Sequence, residues 1–478
     1  MAIAVKSLDR MFNPRTVAVV GDSKARDFMF LKALKDFQGK LYSIQVNADS
    51  IKEIEALGIT NYRSLLEVPE PLDYVLLSVP RRVAPQIVAD CIKKGVGGVA
   101  LFTSGFAETD TTEGKQAQEE LTRMAKQANL NLVGPNCMGI YNPRIGLRFN
   151  IEQYIGTDGR VGVVSQSGNH LSDLSVLGVS QGVKLSKGVS FGNAIVLDSP
   201  DYLDYFAYDP SVEIIVLYVE GVKDGRRFFK ILREVAARKP VLIWKGGQTE
   251  DSARAIFSHT ANLAESMIIW EAMIKQVGAV RVNNMEETID TLKAFIYMKR
   301  PRGNRMGLIA VSGGQSVVMA DAFARAGLQV GRLSAASYVE LSTFVPDVGG
   351  SFKNPLDVNW HVSWQIDLAS YERILNVLDG DSNVDCIAAE VNMDIFVRRA
   401  RSDATFQEKM LATLGRFRER SSKPFLVIIN PGSYETMVPE MRLQLVAQGL
   451  AVYSSFTTAA SSVKRLVDYW QRREAEDR

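Results

Sequence analysis

Among the side chains able to do covalent chemistry, His259 stands out. It lies in the stretch VLIWKGGQTEDSARAIFSHTANLA, residues 241–264, between Ser258 and Thr260. An imidazole flanked by small polar side chains has the room and the lone pair to act as a nucleophile or phosphoryl acceptor. The chain has 3 histidines, His170, His259 and His361, and two of them follow a glycine-containing turn after an apolar run. The plainer role for His259 is capping or packing in a loop, and spacing alone leaves both open. Glu220 is the second candidate. It closes the apolar run 214–219, precedes Gly221, and falls at the same expected sheet edge as His259. A carboxylate bonded to one imidazole nitrogen fixes the tautomer and frees the other nitrogen to attack. Its competing role is to cap a helix starting near Asp224.

Phosphoryl chemistry also needs seats for anions. Three strand-to-helix turns offer them: Gly21-Asp22-Ser23, Ser167-Gly168-Asn169 and Gly313-Gly314-Gln315. A helix that starts straight after a strand presents unpaired N–H groups and a partial positive charge at the sheet edge. Small residues let a phosphate approach that backbone, although glycine and serine serve any tight turn equally well. The first turn lacks the GxGxxG dinucleotide fingerprint, and Asp22 would repel a phosphate unless its carboxylate points away. No Ser-His-Asp order, HExxH or Walker lysine motif is present, which argues against a hydrolase, a zinc protease or a P-loop ATPase. Cys91, Cys137 and Cys386 lack the spacing of a metal site, so no metal ligands are expected.

To bring these groups to common edges, the chain must build parallel sheets from strands alternating with helices. Apolar runs at residues 16–20, 41–46, 74–79, 98–102 and 131–133 read as one set of strands. Runs at 161–164, 214–219, 241–244 and 280–282 form a second set, and 306–311, 386–391 and 425–429 a third. Each set opens as strand, glycine or serine turn, then helix. The pattern predicts an α/β chain of three doubly wound domains over residues 1–150, 151–300 and 305–478, with the breaker-rich PRGNR at 301–305 as a linker. The 478 residues are 46% apolar, ample for several cores. Lys plus Arg number 56 against 54 Asp plus Glu, so the balance does not point to nucleic acid or an anionic membrane. No secretory core or membrane-spanning apolar run is visible, and the scattered cysteines suit a reducing cytoplasm.

Seven segments in one order carry a family likeness: FNPRTVAVVGDS, GPNCMGIYNP, VVSQSGN, VSFGNAIVLDSPDYLDYFAYDP, LYVEG, SHTANLA and NPLD. Together they resemble the NDP-forming acyl-CoA synthetases, the superfamily of succinyl-CoA synthetase and ADP-forming acetyl-CoA synthetase, over almost the whole chain. The resemblance implies an N-terminal Rossmann-like CoA-binding domain followed by two flavodoxin-like ligase domains. It implies interconversion of acid, CoA and NTP with acyl-CoA, NDP and phosphate, through an acyl phosphate and a phosphohistidine. The phosphohistidine role falls on His259 and the supporting carboxylate on Glu220, with phosphate held at Ser167-Gly168-Asn169 and Gly313-Gly314-Gln315. Coenzyme A is expected against Gly21, Asp22, Ser23, Lys24, Asn47, Val79, Pro80, Ser104, Gly105, Asn136 and Cys137. The acyl pocket would lie near Asn136, Cys137 and residues 190–194.

Three departures from the family pattern stand out. Asp22 replaces an alanine in the first turn, which is short and lacks a second glycine, so CoA contact there is expected to be altered. Ala261-Asn262 stands where a glycine and a small residue are common, and Gln315 interrupts a longer glycine run. No length remains after the third unit for an ATP-grasp module. The resemblance therefore implies an α-type subunit whose ATP or ADP and Mg²⁺ sit on a separate β-type ATP-grasp chain, in a hetero-oligomer acting on a small carboxylic acid. The alternatives are a regulatory paralogue that binds CoA or acyl-CoA without turnover, and a CoA-linked acyl transferase on the same scaffold.

Overall fold

The apolar runs fold as parallel strands buried on both faces, as sheets covered by helices on each side require. A computed structural model describes residues 8–249, 251–252, 266–345, 350–358 and 367–476. Six strands make the first sheet: β1 (Thr16–Val20), β2 (Lys40–Ile44), β3 (Thr60–Tyr62), β4 (Tyr74–Leu77), β5 (Gly98–Leu101) and β6 (Leu132–Val133). Their order is β3-β2-β1-β4-β5-β6, all parallel, so the winding direction reverses between β1 and β4. That is the Rossmann order, and it opens a crevice at the carboxyl ends of β1 and β4.

The second sheet holds β7 (Gly139–Tyr141), β8 (Val161–Ser165), β9 (Leu185–Ser190), β10 (Ile214–Val219), β11 (Val241–Lys245) and β12 (Val280–Val282). The order β12-β11-β10-β8-β9-β7 is flavodoxin-like apart from the added β7, with its reversal between β8 and β10. The third sheet holds β13 (Met306–Ala310), β14 (Leu356–Asp357), β15 (Cys386–Asn392), β16 (Phe425–Asn430) and β17 (Ala451–Tyr453). It repeats the flavodoxin-like order as β14-β13-β15-β16-β17, reversing between β13 and β15. The chain divides into two compact units. One runs through Val179 and resumes over Lys184–Met285, and it contains the first two sheets. The other comprises Ser180–Val183 and the chain from Glu286, and contains the third.

Of the five strands missing from the sequence pattern, β3, β7, β9, β14 and β17, two differ for clear physical reasons. β9, LSKGVS, carries a lysine in mid-strand yet is buried throughout, because Lys187 forms an ion pair with Asp209 inside the fold. β7 comes from the GPNCMGIYNP segment, which the sequence pattern assigns to residues 1–150. It pairs antiparallel with β9, Gly139 against Ser190, and so belongs to the second sheet. The loop before it, residues 134–138, thereby crosses from the first sheet's edge to the second's.

Candidate functional site

At the second sheet's reversal, β8 ends in Ser165 and the helix Gly168–Ser180 begins three residues later. The Ser165 hydroxyl donates to the Ser167 carbonyl (2.7 Å), and the Ser167 hydroxyl oxygen accepts from the His170 N–H (3.3 Å). A side chain on Gly168 would put its Cβ 2.6 Å from Met138 Cγ, so glycine lets the Met138 side chain pack directly on this helix start.

Glu220 sits across the reversal, just past β10, and is held from several sides. Its N–H donates to Gln166 Oε1 (2.8 Å), and its carbonyl accepts from Lys245 Nζ (2.7 Å). Carboxylate Oε1 accepts from the Tyr218 hydroxyl (3.2 Å). Oε2 is buried and has no hydrogen-bond partner among the described residues. Such an atom is costly unless something else fills it, which marks it as a vacant acceptor. Tyr218 is in turn boxed by His170 and Trp244, with ring centroids 4.4 and 4.8 Å away. Burial pushes the His170 pKa below its ordinary value, keeping this imidazole neutral. Glu220 does not cap the following helix. Asp224 does that, its carboxylate accepting from the Arg227 N–H (3.0 Å) at the start of Gly225–Ala236.

Glu220, Ser167, Gly168, Asn169, Asn136 and Cys137 line one cavity of about 240 Å³, together with Phe102 and Met138. The Cys137 thiol donates weakly to the Leu101 carbonyl (3.4 Å), and burial pushes its pKa up to about 12. It is a neutral wall group and not a thiolate nucleophile. The cavity's backbone is strained. Asn136 (φ 58) and Ala194 (φ 53) adopt the left-handed conformation, while at Gly192 (φ 51) a Cβ would lie 2.3 Å from the carbonyl oxygens of Pro135 and Asn136. Left-handed non-glycine residues each cost roughly 1 kcal/mol and cluster at functional sites. Lys223 Nζ donates to the carbonyls of Asn193 (2.9 Å) and Ala194 (2.6 Å), tying this loop to the segment after Glu220.

At the first sheet the carboxylate of Asp22 points into the fold. The residue is fully buried, and its carboxylate accepts from the backbone N–H groups of Ser23 (3.2 Å), Phe30 (3.0 Å) and Leu31 (3.0 Å). Asp22 itself therefore supplies the anion for these amides, and its carboxylate faces inward. Gly21 (φ 81) lets the turn pack on the segment just after β4, since a Cβ there would lie 2.5 Å from Val79 Cγ1 and 2.9 Å from the Ser78 carbonyl oxygen. Lys24 pairs with Glu53 (2.6 Å), and Asn47 spends its side-chain oxygen capping the helix Ala48–Ala56. Ser23, Val79, Pro80, Ser104 and Gly105 lie in turns at the carboxyl edge of this sheet.

In the other compact unit, Ser312 caps the helix Gly313–Arg325 by accepting from the Gln315 N–H (3.4 Å), leaving Gly313 and Gly314 exposed. Glu390, buried beside this start, accepts from the Val311 N–H (3.0 Å) and from Asn430 (2.8 Å), and burial raises its pKa. His259, with the rest of SHTANLA, and His361 lie outside the described residues. Spacing passed over Tyr218, although residues two apart on a strand share a face, which points Tyr218 the same way as Glu220. It also passed over Gln166 and Lys245.

A CoA binding domain model matches residues 15–143, and the model for the succinyl-CoA ligase like flavodoxin domain matches 158–295. The α subunit of ADP-forming acetate–CoA ligase II from Pyrococcus furiosus is 35% identical over 386 residues, covering 80% of this chain and 82% of that one. The chain belongs to the ADP-forming acetate–CoA ligase family. Within that family, ADP-forming acetate–CoA ligase I of Archaeoglobus fulgidus is 33% identical over 80% of this chain, which spans 54% of the relative's length. Acetyl-coenzyme A synthetase 1 of Ca. Korarchaeum cryptofilum, solved with phosphate and ADP, superposes with a TM-score of 0.83 at 29% identity, covering 98% of this ligase chain and 97% of its own.

Proposed function

We propose that this chain is the CoA-ligase, α-type subunit of an NDP-forming acyl-CoA synthetase, with His259 as the phosphoryl carrier and Glu220 as its partner. The observation that carries this reading is that Glu220, whose buried Oε2 has no hydrogen-bond partner among the described residues, lines the same cavity as a helix start at Ser167-Gly168-Asn169. A phosphoryl group held there meets the partial positive charge of the helix end, and transfer is mostly positioning and charge neutralisation. In the transfer, an imidazole nitrogen of His259 forms an N–P bond as the P–O bond to the acyl group breaks and a carboxylate leaves. Glu220 Oε2 accepts the remaining imidazole N–H and stabilises the charge that builds on the ring. The second helix start, Gly313-Gly314-Gln315, is assigned the same anion-binding duty on the nucleotide side of the cycle.

Nucleotide and Mg²⁺ are assigned to a separate β-type ATP-grasp subunit, and the substrate is a small carboxylic acid with CoA. The three free cysteines suit a cytoplasmic location, and no described helix is long and apolar enough to cross a membrane. A regulatory paralogue would have no use for a carboxylate held on several sides with one oxygen left open. The test mixes the purified chain with its ATP-grasp partner, acetate, CoA and MgATP. Thioester should form only when both chains are present. Stoichiometric label on this chain from ATP and Mg²⁺ alone would overturn the two-chain reading.

A further inference from the structure

If the amides after the first turn are taken up by Asp22, the phosphates of CoA must find their charge elsewhere. Two arginines bridge neighbouring strand ends at this edge, Arg26 from β1 to β4 and Arg81 from β4 to β5. Arg26, exposed in the turn Lys24–Arg26 after β1, donates from Nη1 to the Ser78 hydroxyl at the end of β4 (2.6 Å). Its guanidinium lies 5.1 Å from the centroid of the Phe102 ring, which follows β5. Arg81, three residues beyond Ser78, donates from Nη1 to the Gly105 carbonyl, also beyond β5. Two neighbouring cations are already paired, Lys24 with Glu53 and Lys32 with Asp27. Among the described residues, neither Arg26 nor Arg81 lies within ion-pair distance of a carboxylate.

We propose that Arg26 and Arg81 form the phosphate clamp for coenzyme A, in place of the amide-lined first turn. The proposal rests on the functional reading above. Each arginine uses one nitrogen on the protein, which fixes the fork and leaves other N–H donors for a phosphate. Phe102 connects this clamp to the chemistry, because it lies beside the Arg26 guanidinium and also lines the Glu220 cavity. Diphosphate held at Arg26 and Arg81 therefore leaves the flexible thiol arm to run past Phe102 toward Glu220. Neither arginine belongs to the phosphoryl-transfer residues, so their loss weakens binding and spares the transfer step.

The test is calorimetric titration of the full chain with CoA and, separately, with pantetheine, which lacks the nucleotide and its phosphates. Arg26→Ala and Arg81→Ala should each weaken CoA binding by about ten-fold or more, the range for one charge-assisted contact. Pantetheine affinity should stay unchanged, and Arg26→Lys should fall between Ala and the native residue because it keeps charge but loses the fork. Wild-type CoA affinity in both alanine variants would overturn the clamp while leaving the ligase reading intact. Equal weakening of CoA and pantetheine would also overturn it, since the arginines would then be shaping the fold. A native chain that fails to bind CoA would remove the clamp and the ligase reading together.

Discussion

Glu220→Gln separates a functional carboxylate from a structural one. In the native chain Oε1 accepts from Tyr218 (3.2 Å) and Oε2 is unpaired among the described residues. Glutamine has a single acceptor oxygen. If that oxygen keeps the Tyr218 hydroxyl, the amide NH₂ occupies the Oε2 position and cannot accept an imidazole N–H. A hydrogen bond to a charged group is worth about 1.5–3 kcal/mol, and losing it from the transition state slows transfer roughly 10- to 150-fold. The assay is the initial rate of ³²P transfer from labelled phosphate to the protein in the presence of acetyl-CoA. The apparent KM for acetyl-CoA should stay level, because the proposed seat of its nucleotide half is at the first sheet, away from Glu220. Adding Tyr218→Phe to Glu220→Gln should recover part of the rate, since the glutamine oxygen is then free to turn toward the imidazole. A Glu220→Gln rate within two-fold of native, or no recovery in the double variant, would refute the pairing of Glu220 with His259.

Three further outcomes test the scaffold. Asp22→Ala orphans the buried N–H groups of Phe30 and Leu31, and should destabilise the fold in urea by about 2–4 kcal/mol, with Asp22→Asn costing less. Ala194→Gly relieves a left-handed alanine and should stabilise by about 0.5–1 kcal/mol in the same assay, whereas a loss would mean the strain is absent. Lys187→Ala leaves the buried Asp209 carboxylate without its cation and should cost about 3–5 kcal/mol. Burial pushes the Asp209 pKa up, but hydrogen bonds from Lys187 and Ser211 outweigh it and hold the pKa below the ordinary value. This contribution is therefore present above about pH 4 and fades as the pH falls below it, so native and Lys187→Ala stabilities should converge in acid.

Long strands were legible because parallel strands covered on both faces must be apolar throughout, as in Thr16–Val20 and Ile214–Val219. β9 escaped notice because Lys187 looks solvent-exposed until its partner, 22 residues later, is brought beside it. β7 was hidden in a glycine-rich motif whose pairing with β9 is a tertiary choice that local pattern does not record. In the site, Ser167, Gly168, Asn169, Asn136, Cys137 and Glu220 do converge on one cavity. The first turn was half legible: sequence flagged Asp22 as ill-suited to phosphate, but only the fold reveals that its carboxylate reaches Phe30 and Leu31. Arg26 and Arg81 carried no motif at all. Their shared position follows from the strand order, which puts the ends of β1, β4 and β5 side by side.

The most direct measurement is residue-level phosphate mapping after the chain alone is incubated with acetyl-CoA and ³²P-phosphate, without nucleotide, under the alkaline conditions that preserve phosphohistidine. The expected result is near-stoichiometric, acid-labile label on the peptide containing His259, absent from His259→Ala. Acid-stable label on a serine or threonine, or undiminished label in His259→Ala, would contradict a phosphohistidine at this position.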